Sequence, residues 1–252
     1  MIERKVLIKN IETNYKVFGN GEPMLLLHGW PSSSDKWQRV GELLAEKNIM
    51  VIIPDLPGFG QSQKPAVSWS IDNYVEWINE LSEKITELNK DFYLLGHSFG
   101  GAVAIKFTVK YNQKVKKLFL VSAACIRKQT LIKKILRQVS KFIKLFSFLP
   151  YYQQTRKAFY KFIIKKSDYP YIEGIMKEPY LRVIADDLTH YLSFLRVFTV
   201  IIWGEKDNLT PVENAYYINK KITNSKLIII QSAGHNLNKI PEVLTEKIIE
   251  NL

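Results

Sequence analysis

The sequence predicts an α/β protein: a mostly parallel, doubly wound sheet whose core is interrupted by a helical insert. Short runs that are apolar throughout, such as Met24–Leu27, Met50–Ile53 and Leu118–Val121, alternate with segments of helical spacing. Strands apolar on both faces belong in a parallel sheet covered on each side by helices. The alternation stops after Ala124 and resumes at Val197, with basic and aromatic segments of helical pattern between. Residues 1–124 and 197–252 therefore read as one core, and 125–196 as an insert.

Taken in order, Val6–Ile11 and Thr13–Phe18 alternate apolar and polar residues before Gly19-Asn20-Gly21, the pattern of an opening antiparallel hairpin. Met24–Leu27 runs into the His28-Gly29-Trp30-Pro31 loop. Ser32 to Asp35 carry helix-cap chemistry ahead of Trp37, Val40, Leu43 and Leu44, which recur at helical spacing. Met50–Ile53 leads into the loop Pro54 to Ser62. Ser70 caps an amphipathic helix that runs through Tyr74, Trp77, Ile78, Leu81, Ile85 and Leu88. Phe92–Leu95 then turns through Gly96-His97-Ser98-Phe99-Gly100 into a mostly buried helix. After the insert, Val197–Trp203, helical Val212–Ile222, Leu227–Ile230 and helical Val243–Leu252 close the chain.

Composition sets the outer limits. An apolar fraction of 46% in 252 residues fits one large domain, or one domain with an insertion. No apolar run approaches the ~18 residues of a spanning helix, and Met1–Leu7 has no signal-peptide character. The single cysteine, Cys125, excludes an internal disulfide and fits a reducing compartment. A cytoplasmic location is the expectation. The net charge is +12, but twelve Lys/Arg and no acids fall between Arg127 and Lys166, which leaves 24 basic against 24 acidic residues elsewhere. That asymmetry argues against a chain-wide nucleic-acid footprint.

The chemistry centres on Ser98. A strand feeding a helix through G-x-S-x-G holds the serine on a strained corner at the carboxyl edge of the sheet. A serine nucleophile needs a base, and the base needs an orienting group. Of four histidines, His97 adjoins Ser98 on a turn, where neighbouring side chains point apart. His28 lies at another strand end and His190 in the insert. His235, after the last apolar strand, is the best base. Asp207 follows the penultimate strand and is the candidate orienter; read alone, it would cap the helix beginning near Thr210 and Pro211. Asp55, among Pro54, Pro57 and Gly58, reads as a structural turn carboxylate. Asp186 and Asp187 read as helix caps, and Cys125 as a buried, inert thiol.

These residues lie in motifs that resemble the α/β-hydrolase fold superfamily, in its branch of serine esterases and hydrolases with a helical cap. His28-Gly29-Trp30-Pro31 is similar to the family's oxyanion loop and Pro54–Ser62 to its signature turn. Gly96–Gly101 resembles the nucleophile elbow, Ile202–Asp207 the acid segment and Ala233–His235 the histidine segment. The resemblance implies Ser98 as nucleophile, His235 as general base and acid, and Asp207 as orienter. It also implies the amides of Trp30 and Phe99 as the oxyanion hole, with His28, Gly29, Trp30 and Phe99 on the substrate side. The rings of Trp30 and Phe99 either line the acyl pocket or simply pack.

The implied activity is hydrolysis of a small or medium acyl ester without cofactor or metal. C–C bond hydrolysis by the same triad, or a non-catalytic ligand-binding or scaffold role, are the alternatives. Ser98 in place of an aspartate disfavours epoxide and halide chemistry. The insert corresponds to a cap. Leu131, Ile135, Leu136, Val139, Phe142 and Phe146 form an apolar stripe with lysines mostly off it, which fits a cap helix over the site. An anionic membrane surface is the sharper partner for that basic segment; no nucleic acid is expected.

Overall fold

A computed structural model describes residues 1–126 and 186–252. Eight strands form one sheet: β1 (Ile2–Ile8), β2 (Ile11–Phe18), β3 (Glu22–Leu27), β4 (Ile49–Pro54), β5 (Phe92–His97), β6 (Val115–Val121), β7 (Thr199–Gly204) and β8 (Ser225–Ile230). Their spatial order is β1-β2-β4-β3-β5-β6-β7-β8. β1 pairs antiparallel with β2, and β2 with β4; the six strands from β4 to β8 are mutually parallel.

The central strands split their side chains between two apolar layers with period two. Leu25, Leu94, Leu120 and Ile201 face one layer with helices α2 (Ile71–Lys84), α3 (Phe99–Lys110) and α4 (Val212–Lys221). Leu26, Leu95, Val121 and Ile202 face the other, with α1 (Gln38–Ala45) and α5 (Pro241–Ile249). Apolar residues at every strand position are what a sheet buried on both sides requires.

The expected hairpin forms, but it turns at Lys9-Asn10 rather than near Glu12. Both residues hold left-handed backbone, φ 48° and 60°. A two-residue turn of that hand matches the twist of the flanking strands. Ser70 caps α2 as expected, through a capping box in which its hydroxyl accepts from the Asn73 amide and the Asn73 side chain accepts from the Ser70 amide. Such a cap contributes about 1 kcal/mol. The helix ends at Lys84, short of Leu88, which sits in a separate 3₁₀ turn.

After β6 the chain reaches Cys125, whose carbonyl accepts the Leu188 amide at 2.9 Å. The excursion thus leaves and rejoins the core at one point, beyond the carboxyl end of β6. The expected cap helices and the basic apolar stripe fall at 127–185, outside the described residues. Asp187 Oδ1 accepts from the amide of Thr189, the first residue of the 3₁₀ helix Thr189–Phe194, whose N-cap position is Leu188. Among the described residues no helix is long and apolar enough to cross a membrane.

Candidate active site

Ser98 sits where β5 becomes α3, with φ 51° and ψ −113°. A non-glycine residue there stores backbone strain, of order 1–3 kcal/mol, and the surroundings over-determine it. The Ser98 amide donates to the Val121 carbonyl (3.0 Å), and its own carbonyl accepts from Gly101, Ala102 and Ala124. The corner is also too tight for side chains. A Cβ on Gly100 would lie 2.2 Å from the Leu27 carbonyl oxygen, and one on Gly96 would lie 2.5 Å from the Gly100 carbonyl oxygen. Phe99 opens α3, so its amide is a first-turn N–H with no acceptor inside the helix.

Asp207 and His235 meet. The His235 Nδ1–H donates to Asp207 Oδ2 at 2.8 Å, which leaves the lone pair of a neutral ring on Nε2. The Asp207 side chain is fully buried and its two oxygens divide their work. Oδ1 accepts the amides of Leu209 and Thr210, each at 2.9 Å. Oδ2 takes His235 and the Thr210 hydroxyl, the latter at 2.8 Å. Burial pushes the carboxyl up, but the His235 hydrogen bond and charge, with the Thr210 donors, outweigh it and hold it below the usual carboxylate range. The residue is therefore both a turn cap and the partner of the histidine.

Thr210 was not singled out by the sequence. Its Oγ1 lies within hydrogen-bond reach of Asp207 Oδ2, of His235 Nδ1 (3.2 Å) and of the Ser122 carbonyl (3.3 Å). The signal available was a threonine three residues beyond the acid, legible as a cap but not as a contact of the histidine.

His97, next to Ser98 in the chain, is not idle. Its Nε2–H donates to the main-chain carbonyl of His235 at 3.1 Å. Its ring packs against His235 (centroids 5.0 Å) and Trp37 (5.2 Å). Burial and the neighbouring His235 push its pKa down to about 3, so the imidazole is neutral. This bond brings the histidine loop back across β6 and β7 to the residue adjoining Ser98.

The oxyanion-loop residues separate. Trp30 is half-buried and packs edge-on against Phe59 (4.6 Å) and Phe99 (5.6 Å). Gly29 is buried, and a Cβ there would lie 3.1 Å from Ser98 Cβ, so this loop runs directly beside the elbow. His28, expected on the substrate side, is instead fully buried. Its Nδ1–H donates to the Gly29 carbonyl (2.8 Å) and its Nε2 accepts the Leu56 amide (3.0 Å). With both nitrogens committed, it ties two loops together rather than meeting a ligand. Burial holds its pKa below the ordinary histidine value. Asp55 is structural, as expected: Oδ1 accepts from the Ser34 amide and Oδ2 from the Gln61 amide and the Asn14 side chain.

The residues singled out in sequence thus gather along one edge. Ser98 follows β5, Asp207 follows β7 and His235 follows β8, all at carboxyl strand ends, where open α/β sheets place their sites.

A family profile described as alpha/beta hydrolase fold matches residues 22–152. An uncharacterized protein of Mycobacterium tuberculosis (strain ATCC 25618 / H37Rv) is 30% identical over 255 residues, covering 88% of this chain and 72% of that protein. Lipase 1 of Psychrobacter immobilis is 26% identical over 234 residues, covering 85% and 71%. Among solved structures, an esterase from Exiguobacterium antarcticum superposes with a TM-score of 0.76 at 22% identity, over 99% of this chain and 98% of that one. The chain belongs to the alpha/beta hydrolase fold family.

Proposed function

We propose that this hydrolase of the alpha/beta fold is a serine esterase that cleaves small or medium acyl esters through an acyl-enzyme on Ser98. The observation that carries the reading is the 2.8 Å bond between His235 Nδ1 and the buried carboxylate of Asp207. It fixes the tautomer in which Nε2 can accept a proton. Similarity to a lipase and an esterase supports the choice of reaction.

In the proposed sequence, His235 Nε2 takes the Ser98 proton as Oγ attacks the ester carbonyl carbon. The oxyanion faces the amides of Phe99 and Trp30 at the positive end of α3. As the tetrahedral intermediate collapses, His235 returns the proton to the leaving alcohol. It then deprotonates a water, which attacks the acyl-enzyme. The carboxylic acid departs and Ser98 regains its proton. Asp207 stays ionised throughout and offsets the imidazolium charge.

Ser98→Ala should abolish turnover of p-nitrophenyl esters and labelling by a fluorophosphonate while leaving the melting temperature close to wild type. Undiminished turnover overturns the assignment. Absence of labelling in the wild-type protein would favour a non-catalytic role, and a vinylogous diketone in the substrate panel separates C–C from ester cleavage.

A further inference from the structure

A cavity of about 310 Å³ opens beside His235, between the turn after Pro31 and the loop that carries the histidine. That volume is at the lower end of ligand pockets, which run from ~300 to 1,000 Å³. Ser98 and Phe99 are not among the described residues that line it, whereas His235 and Trp30 are. It therefore adjoins the proposed catalytic residues on the side of His235 and Trp30.

Its charged lining is of one sign. The interior is formed by buried Trp37 and His97, and the mouth by Lys36, Lys239, Asn236 and Asn238. No aspartate or glutamate is among the described lining residues. Neither lysine ammonium has an acidic partner among the described residues, although nearby Lys16 is paired with Asp35. The two sides of the mouth are tied together, since Asn238 Nδ2 donates to the Lys36 carbonyl at 2.8 Å. The lysine-bearing turn and the histidine loop are thus held in fixed register around the opening. Two lysines without an acidic partner among the described residues, with two amides over a buried aromatic wall, make a receptor for a small anion.

We propose that this cavity is a binding subsite for a carboxylate or phosphate group on a small molecule. Two sources share that chemistry: a charged arm of the ester substrate, or a free anion that binds beside the base. Only the first depends on the esterase reading above.

Binding is measured on the full chain carrying Ser98→Ala, by titrating succinate and inorganic phosphate and following heat or tryptophan fluorescence. At least one anion should saturate with a Kd on the order of 1 mM. The double variant Lys36→Gln/Lys239→Gln should weaken it roughly tenfold, and Lys36→Arg/Lys239→Arg should retain it. Failure of both anions to saturate overturns the proposal, as does equal affinity in the glutamine variant with an unchanged melting temperature. Because this readout needs no turnover, its failure is distinct from failure of the Ser98 assignment.

Kinetics with Ser98 intact then identify the source. If the anion is part of the substrate, KM for a hemisuccinate ester rises about tenfold in the glutamine variant while that for a neutral ester is unchanged. If it is a free anion, phosphate alters hydrolysis of the neutral ester in the wild type and not in that variant.

Discussion

The Nε2 atom of His97 lies 3.1 Å from the carbonyl oxygen of His235, so the residue before the elbow serine holds the main chain of the candidate base. A carbonyl only accepts, which makes His97 the Nε2–H tautomer and leaves Nδ1 a bare acceptor. That atom is buried and finds no donor among the described residues. An unsatisfied buried acceptor costs about 1–3 kcal/mol; here the cost is tolerated where the other nitrogen anchors a loop.

His97 is thus a positioning residue, and its substitution should affect kcat rather than KM. His97→Leu fills the space but cannot donate, and kcat should fall roughly tenfold, the scale of one buried hydrogen bond. His97→Gln can donate from its amide and should recover most of the loss. Steady-state kinetics on the three proteins checks this. Equal rates for the glutamine and leucine variants would mean that the ring only fills volume.

The same burial predicts how stability varies with pH. The His97 pKa is about 3 in the folded chain, against about 6.5 when exposed. Between those values the unfolded chain binds a proton that the folded chain does not. Stability is therefore complete above pH ~6.5 and falls as pH drops towards about 3, by up to ~1.4 kcal/mol per pH unit for this one group. His28, whose pKa is also lowered by burial, acts in the same direction. Urea denaturation across that window should show the decline, and His97→Gln should make it shallower.

Thr210 gives a sharper test of the site's support. Its hydroxyl donates to Asp207 Oδ2, the oxygen that also holds His235. Thr210→Val keeps the shape and removes the donor, so kcat should fall about tenfold, the scale of one buried hydrogen bond to a charged group. The Thr210 amide still caps Oδ1, so the melting temperature should change little. Thr210→Ser should restore activity. A valine variant with wild-type kcat would show that the hydroxyl is only a turn contact.

Why Thr210 and His97 escaped the sequence is physical. Strand ends and the elbow are legible because apolar runs, glycines and a serine at fixed spacing dictate them locally. That Ser98, Asp207 and His235 each follow a strand at one edge was legible because parallel strands were readable from Met24–Leu27 and Val197–Trp203. His97 was read only by its direction, as a side chain pointing away from Ser98. Its partner, however, is a carbonyl 138 positions away, and no local pattern encodes that distance. His28 failed the opposite way: its place in a loop beside the site suggested contact with substrate, while its two internal bonds were invisible.

Asp207 combines two functions that the sequence offered as rivals, and one substitution separates them. Asn at this position can still accept the Leu209 and Thr210 amides through its oxygen at Oδ1. Its nitrogen would then face the Nδ1–H of His235, donor against donor. The ring must give up that bond or move its proton to Nε2, and in the second case it can no longer accept from Ser98. Asp207→Asn should therefore lower kcat by about 10⁴, as expected when the wrong tautomer is enforced, with a melting temperature near wild type. Asp207→Ala loses the cap as well and should cost about 1 kcal/mol of stability in addition. Kinetics with thermal melts on both variants decides the matter. An asparagine variant that is as unstable as the alanine one would mean that the ionised carboxylate, rather than the cap geometry, holds the loop after β7.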